Sequence, residues 1–201
     1  MYVPRSFIFD NQPEQVAFMK QYSFATIVTI KGNMPIATQL PFFVDDSGDK
    51  LLLRSHFAVA NEQVKYLSEK PSLVIFTEPH AYISPSHYDK EESVPTWDYV
   101  AIHAYGTATL IQEEEAKLKV LEEAIQFYEP AYLAQWNSLS DKYRLGMLRG
   151  MVAFEIEVTD LQGQKKVSQN KNAEERKRIA EALAHSDVGV ERDLATYIPR
   201  G

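Results

Sequence analysis

The sequence contains no cysteine, only eight glycines and no long apolar run. Without cysteine there can be no disulfides, thiolate metal ligands or cysteine nucleophile. The glycines form neither a phosphate-binding loop nor the dinucleotide pattern GxGxxG, and the hydrolase motifs GxSxG and HExxH are missing too. No apolar segment approaches the roughly 18 residues that a membrane-spanning helix requires. These absences exclude the common nucleotide-loop, cysteine and metallohydrolase chemistries, and we expect no membrane partner.

The chain also has no excess of basic charge and no signal-peptide pattern in its opening residues. Its formal net charge of −7 opposes broad non-specific binding to nucleic acid, which depends on neutralising phosphates. A local basic cluster lies between Lys165 and Arg178; we interpret it either as a solvated helix face or as the region through which DNA would be contacted. The opening MYVPRSFIFD has no apolar h-region, so we expect a cytoplasmic protein.

The apolar periodicity predicts an α+β protein with six or seven antiparallel strands, arranged as a small closed or half-closed barrel with helices outside. Strands are predicted at 24–30, 36–44, 50–55, 72–77, 99–111 and 151–159, with 165–170 extending the last one. Helices are predicted at 11–22, 59–69, 113–129 and 172–185. The third of these helices should bury Leu118, Leu121 and Ile125. The residues from 187 onward show no period and are expected to form a mobile tail.

The run from His80 to Gly106 is dense in amphipathic rings. It holds three of the five histidines, four tyrosines and Trp97. Buried tyrosine and tryptophan need hydrogen-bond partners, and histidine titrates near neutral pH. This density favours a ligand site or a subunit interface over a core strand pair with a polar loop. The histidine spacing matches no metal-binding pattern, so we predict no metal site.

Two polar clusters could hold an anionic group such as phosphate. The first is Arg54, Ser55 and His56 at a strand end, with Asn61 opening the next helix. Its alternative is that Ser55 and Asn61 cap the helix while Arg54 is a surface residue. The second cluster is KKVSQN, in which Lys166, Ser168 and Asn170 would share one face if the segment were extended. Its alternative is a charged, exposed edge segment.

Seven motifs, in order and with natural spacing, resemble the PaiB family over nearly the whole chain. They are MYVPRSF, IATQLPF, SHFAVAN, HAYISPSHY, VPTWDY, HAYG and KKVSQN. The resemblance implies an FMN-binding split barrel and a homodimer. It also implies a negative transcriptional regulator of sporulation and of degradative-enzyme genes, including proteases. We accordingly expect a split-barrel domain at 1–160 with N-terminal and inserted helices. A C-terminal extension at 161–201 should carry one helix, packed on the same domain or on the dimer partner.

In split-barrel flavoproteins the FMN lies at the dimer interface, where strand backbone holds the ring and basic and hydroxyl side chains hold the phosphate. The positions that match here are Thr38, Gln39, Arg54, Ser55, His56, Asn61, Lys166, Ser168, Gln169 and Asn170. Three residues depart from the family pattern: Gln39 replaces a common His, His87 a common Trp and Asp98 a common Asn. Gln39 falls at a likely ring-edge position. Asp98 adds a negative charge that disfavours an anionic ligand unless it is paired.

Three functions remain open from the sequence. The favoured hypothesis is a regulatory split-barrel protein that binds a flavin-type molecule and has no catalytic residues of its own. The alternative is a flavin-dependent oxidoreductase or a relative of the haem-degrading split-barrel enzymes, in which the cofactor carries the redox chemistry. The third is a dimeric scaffold whose cofactor site has decayed.

Overall fold

The computed structural model describes residues 1–199, and over this range the chain forms one seven-stranded sheet and six α-helices. The strands are β1 Phe24–Lys31, β2 Met34–Pro41, β3 Phe43–Asp45, β4 Leu52–Ala58, β5 Ser72–Ile83, β6 Thr96–Leu110 and β7 Met151–Lys166. The helices are α1 Gln12–Gln21, α2 Glu114–Tyr128, α3 Leu133–Ser138, α4 Asp141–Leu148, α5 Ala173–Ala184 and α6 Gly189–Ala195. The sheet order is β2-β1-β5-β6-β7-β4-β3, and the predicted α+β antiparallel class is confirmed.

The chain divides into two compact units. The terminal unit comprises residues 1–15, 77–103 and 162 onward, and the central unit comprises 16–76 and 104–161. Strands β5, β6 and β7 each run through both units. The boundary predicted at residue 160 stays a prediction. Within the described residues, no helix is both long and apolar enough to cross a membrane.

The core of the central unit is built from phenylalanines on its strands and, at Phe42, between two of them. Phe42, Phe57, Phe76 and Phe154 are fully buried. Phe57 stacks on Phe154 with ring centroids 5.2 Å apart, and Phe42 meets Phe154 edge-on at 6.1 Å. Such pairs stabilise a core beyond their area burial. The β1–β2 hairpin turns at Gly32, whose φ of +61° lies in the left-handed region that glycine enters without strain.

Three sequence predictions for the central unit are corrected. The strand predicted at 36–44 is two strands, because the buried Phe42 turns its N–H to the Ser23 carbonyl at 2.8 Å and interrupts the pairing. The helix predicted at 59–69 is only a 3₁₀ turn, Glu62–Tyr66. Helix α2 buries Val120, which the prediction did not include, in a cluster with Leu148 and Met151. The predicted stripe of Leu118, Leu121 and Ile125 is half-buried, and its two leucines pack against this cluster.

The C-terminal segment confirms one prediction, confirms a second in part and overturns two others. Helix α5 opens with the predicted capping box between Asn172 and Glu175, with both reciprocal hydrogen bonds present. The expected mobile tail instead forms α6, whose Leu194 is fully buried, so the extension holds two helices and not one. The first two residues of KKVSQN extend β7 as predicted, but the strand ends at Lys166 and Ser168 has φ +56°, so residues 167–170 form a turn. Of the predicted tail, residues 200–201 lie outside the described range.

Candidate functional site

Thr38 and Asn61, both predicted from the family resemblance, meet in the central unit. Thr38 lies on β2, which forms one edge of the sheet. Its hydroxyl accepts from Asn61 Nδ2 at 3.1 Å and donates to Gln63 Oε1 at 2.8 Å. Asn61 also caps the 3₁₀ turn by accepting from the Gln63 N–H at 2.9 Å. The network fixes the Thr38 hydroxyl, while the neighbouring Gln39 side chain is exposed.

Arg54 is surrounded by carboxylates. Its Nε donates to Glu155 at 2.6 Å, and its Nη1 lies 2.9 Å from Asp45 and 3.4 Å from Glu123. The guanidinium is only 16% exposed, and these partners raise its pKa against the opposing effect of burial. Lys119 also lies 3.8 Å from Glu123, so two cations face three carboxylates and one negative charge remains. A phosphate at Arg54 is therefore disfavoured unless at least one carboxylate moves away.

Ser55 and His56 follow Arg54 on β4. The Ser55 hydroxyl donates to the Pro41 carbonyl at 2.7 Å, so its proton is already used. Burial lowers the pKa of His56, which keeps the imidazole neutral near pH 7. Arg54, Ser55 and His56 border one cavity of about 20 Å³ beneath α2, which is room for a single water molecule.

Lys166 and Ser168 are brought together by Asp98 in the terminal unit. The Ser168 hydroxyl donates to Asp98 Oδ2 at 2.5 Å, and Lys166 Nζ lies 3.9 Å from Asp98 Oδ1. The same ammonium donates to Thr96 Oγ1 and, at 2.6 Å, to the Trp97 carbonyl. Asp98 is fully buried, and this desolvation raises its pKa. The negative charge of Asp98, which the sequence analysis expected to need a partner, is therefore paired with Lys166. As a result, the Lys166 ammonium and the Ser168 hydroxyl, both predicted to hold a phosphate, are already engaged.

The last two predicted residues of KKVSQN have different environments. Gln169 folds back on the turn: its amide donates to the Lys165 carbonyl at 2.5 Å and accepts from the Val167 N–H at 2.8 Å. Asn170 is exposed. Gln169 thus stabilises the turn that holds Ser168, and Asn170 is the member of this turn whose side chain faces solvent.

The run from His80 to Gly106, whose ring density predicts a ligand site or a subunit interface, contributes three rings to one aromatic cluster. His80 and Tyr82 on β5 face Trp97 on β6, with ring centroids 5.6 Å and 6.3 Å from the Trp97 ring. Tyr82 is 51% and Trp97 49% exposed. We call these three residues the aromatic platform. The two-residue spacing of His80 and Tyr82 is the sequence feature that places both side chains on one face of the strand.

Most of the basic cluster proposed for DNA contact is engaged within the terminal unit. Five of its six cations have partners there. They are Glu14 for Lys165, Asp98 for Lys166, the Tyr88 ring for Lys171, the Pro199 carbonyl for Arg176 and Asp89 for Arg178. Because these contacts offset or occupy the positive charges, the cluster offers less free charge to phosphates than its sequence indicates.

The residues present fit a flavin in part. In the central unit Thr38 and Gln39 offer uncharged hydrogen-bonding groups, and in the terminal unit the platform offers π faces; each feature by itself suits a planar heteroaromatic ring. In the terminal unit, the buried Asp98 Oδ1 and Tyr88 hydroxyl are among the polar atoms that have no hydrogen-bond partner in the described residues. By contrast, Arg54 and Lys166 are paired with carboxylates. Within 1–199 no group of three or more potential ligands is arranged to hold a metal ion.

Residues 1–160 match the family described as "Putative FMN-binding domain". The chain is 36% identical over 190 residues to Protease synthase and sporulation protein PAI 2 of Bacillus subtilis, covering 93% of this chain and 91% of that protein.

Two solved structures share the fold. One is the flavocytochrome Anf3 of Azotobacter vinelandii, with TM-score 0.64, 14% identity and coverage of 82% of this chain and 72% of that one. The other is the FAD and heme binding protein of Mycobacterium smegmatis, with TM-score 0.63, 16% identity and coverage of 86% and 78%. The split-barrel class expected from the sequence is confirmed, and the chain belongs to the PaiB family, with its FMN-binding-type domain at residues 1–160.

Proposed function

We propose that this protein is a PaiB-type regulatory protein whose ligand is FMN. The observation that carries the proposal is the match of residues 1–160 to an FMN-binding family model. The relative from Bacillus subtilis adds support, because its name refers to protease synthesis and sporulation and the similarity spans almost all of both chains. FMN, when bound, supplies redox chemistry that side chains lack.

The chain's own contribution is recognition. Hydrogen bonds to Asn61 and Gln63 already orient the Thr38 hydroxyl. Flavin binding would therefore not have to immobilise this group, which lowers the entropic cost of binding. Gln39, exposed on the edge strand, presents an amide that both donates and accepts, which suits the alternating polar edge of a flavin ring. Because Arg54 is surrounded by carboxylates, we expect it to contribute little to phosphate affinity.

Titration of the purified protein with FMN, FAD, riboflavin and haem tests the proposal by flavin fluorescence and haem absorbance. FMN should bind most tightly. Gln39→Ala should weaken FMN binding by about fivefold, as expected for loss of one neutral hydrogen bond. Gln112→Ala, an exposed glutamine in the same unit, is the matched control and should leave the affinity unchanged. Failure of the wild type to bind any flavin would refute the proposal.

The regulatory role needs its own measurement. In a gel shift with promoter DNA at moderate salt, we expect no complex formed through the basic cluster at 165–178. The reason is that five of its six cations are already engaged within the protein. We therefore propose that regulation follows flavin binding rather than direct contact through 165–178. A salt-dependent shift abolished by Lys177→Glu would contradict this route.

A second candidate is a flavin-dependent oxidoreductase or haem-handling protein. It is favoured by the two structural neighbours, which are a flavocytochrome and an FAD and heme binding protein. Oxidation of a reduced nicotinamide by the FMN-loaded protein, or tight haem binding in the titration above, would favour this function over regulation.

A further inference from the structure

The aromatic platform is an exposed π surface built on neighbouring strands. His80 and Tyr82 lie two residues apart on β5, so they project from the same face of the sheet. Trp97 lies on the adjacent strand, β6. Its ring is tilted 31° to the His80 imidazole and 65° to the Tyr82 ring. The three rings thus form one continuous cluster on the terminal unit.

The exposure of the platform contrasts with its neighbours in sequence. Ala81 and Ile83, which alternate with Tyr82, are 1% exposed, and Asp98 beside Trp97 is fully buried. The strand alternation therefore buries Ala81, Ile83 and Asp98 and exposes the two large aromatic side chains. Contiguous exposed apolar surface marks a binding site more often than single exposed residues do.

The backbone beneath Trp97 is held in place. Lys166 Nζ donates to the Trp97 carbonyl and to Thr96 Oγ1, the residues on which the platform strand begins. Asp98, the next residue, accepts the Ser168 hydroxyl at 2.5 Å. Because the backbone that carries the ring is held by these hydrogen bonds, a ligand that stacks on Trp97 does not have to order this strand end, which favours affinity.

The chemistry of the surface indicates what it holds. All three members present aromatic faces with a polar atom at the rim, and none is aliphatic, which suits a planar heteroaromatic ligand. The Lys166 ammonium near the Trp97 backbone is engaged by Asp98 and by oxygens of Thr96 and Trp97, so recognition at this surface depends on the ring faces and not on a free cation.

We propose that the face of the flavin ring stacks on the platform of His80, Tyr82 and Trp97. This assignment rests on the proposed function and adds to it, because it names the residues of the terminal unit that would contact the face of the ring. Lys166 and Asp98 act as positioning residues, since they hold the Trp97 backbone.

The sequence supplies a reporter for this contact. Its two tryptophans differ in environment: Trp97 is 49% exposed, whereas Trp136 is 5% exposed and donates to Glu122 at 3.2 Å. In a Trp136→Phe variant all tryptophan emission comes from Trp97. Riboflavin and FMN should quench it strongly, with a red shift of the flavin absorbance that indicates stacking.

Affinity measurements complete the test. Trp97→Ala should weaken FMN and riboflavin binding about tenfold or more, and Trp97→Phe, which keeps a ring, by no more than about threefold. Tyr82→Ala is a second variant in case Trp97→Ala fails to fold by circular dichroism. Tyr143→Ala, 54% exposed in the other unit, is the control and should bind as the wild type does.

The outcomes separate the two proposals. Wild-type flavin affinity in Trp97→Ala overturns the platform and leaves the proposed function standing. Absence of flavin binding by the wild type overturns both. If light scattering shows that Trp97→Ala converts a dimer to a monomer with unchanged flavin affinity, the platform is a protein contact and the stacking proposal is wrong.

Discussion

At the residue scale, Asp98 is the most constrained side chain of the predicted site. Its carboxylate is fully buried, accepts the Ser168 hydroxyl at 2.5 Å and lies 3.9 Å from Lys166. Its second oxygen has no hydrogen-bond partner among residues 1–199. A buried carboxylate with one unsatisfied oxygen is costly to keep ionised, which explains why burial raises its pKa.

Substitution of Asp98 should separate charge from hydrogen bonding. Asp98→Asn keeps an acceptor for Ser168 and removes the buried charge, so the free energy of unfolding at pH 7 should equal or exceed that of the wild type. Asp98→Ala removes the acceptor and should cost about 1–3 kcal/mol. Urea unfolding measures both. Equal losses in the two variants would mean that the ion pair with Lys166 dominates.

The same site carries a pH dependence of known sign. Because the folded-state pKa of Asp98 lies above the ordinary value of 3.8, the folded state holds this proton more strongly than the unfolded state. The stability it contributes is present below pH 3.8 and is lost as the pH rises through the raised pKa. In Asp98→Asn this decline should be absent.

At the element scale, the pairing of β6 with β7 explains why the HAYG motif ends in glycine. A Cβ at Gly106 would lie 2.1 Å from the Glu157 carbonyl oxygen and 2.6 Å from an Ile156 methyl. Backbone cannot retreat as a flexible side chain can. The glycine is therefore required by close packing between strands, with no positive φ involved.

Gly106→Ala should destabilise the protein by about 3 kcal/mol or more, because adjacent strands must separate to admit one methyl group. Gly48→Ala is the matched control, since nothing lies within 4 Å of a Cβ there, and it should change the unfolding free energy by less than about 0.5 kcal/mol. Thermal and urea unfolding of both variants provide the comparison. Similar stabilities would show that β6 and β7 adjust easily at this point.

Elements were predictable where their signals are local. The capping box of α5 depends on residues three apart and was predicted in full. The strand beginning at Ser72 was predicted to end at Thr77 but continues to Ile83, because Glu78 and Pro79 resemble a strand end while the sheet pairs the chain beyond them. Helix α6 was missed because only its buried Leu194 and Ala195, which depend on packing, distinguish it from a polar tail.

At the scale of the whole molecule, histidine burial should make stability depend on pH. Burial lowers the pKa of His56, His87 and His103 below the ordinary value of 6.5. The unfolded state therefore binds more protons just below pH 6.5, and stability present above that value is lost as the pH falls toward the lowered values.

The free energy of unfolding should accordingly decrease between pH 7.5 and 5.5, by at most about 1.4 kcal/mol per pH unit for each histidine. His56→Gln should reduce the slope, because it removes one of the three groups. Urea unfolding across this range is the measurement. A stability that is flat or rises on acidification would contradict the burial of these imidazoles.

The sequence by itself determined the α+β class, the capping box of α5, most strand positions and the family. These depend on periodicity, short-range caps and ordered motifs, which involve residues a few positions apart. Only the tertiary structure decided which side chains meet. Arg54 pairs with Glu155, 101 residues away, and Ser168 with Asp98, 70 residues away. Burial and charge at those contacts, rather than residue type, determine which of the predicted site residues remain free to bind a ligand.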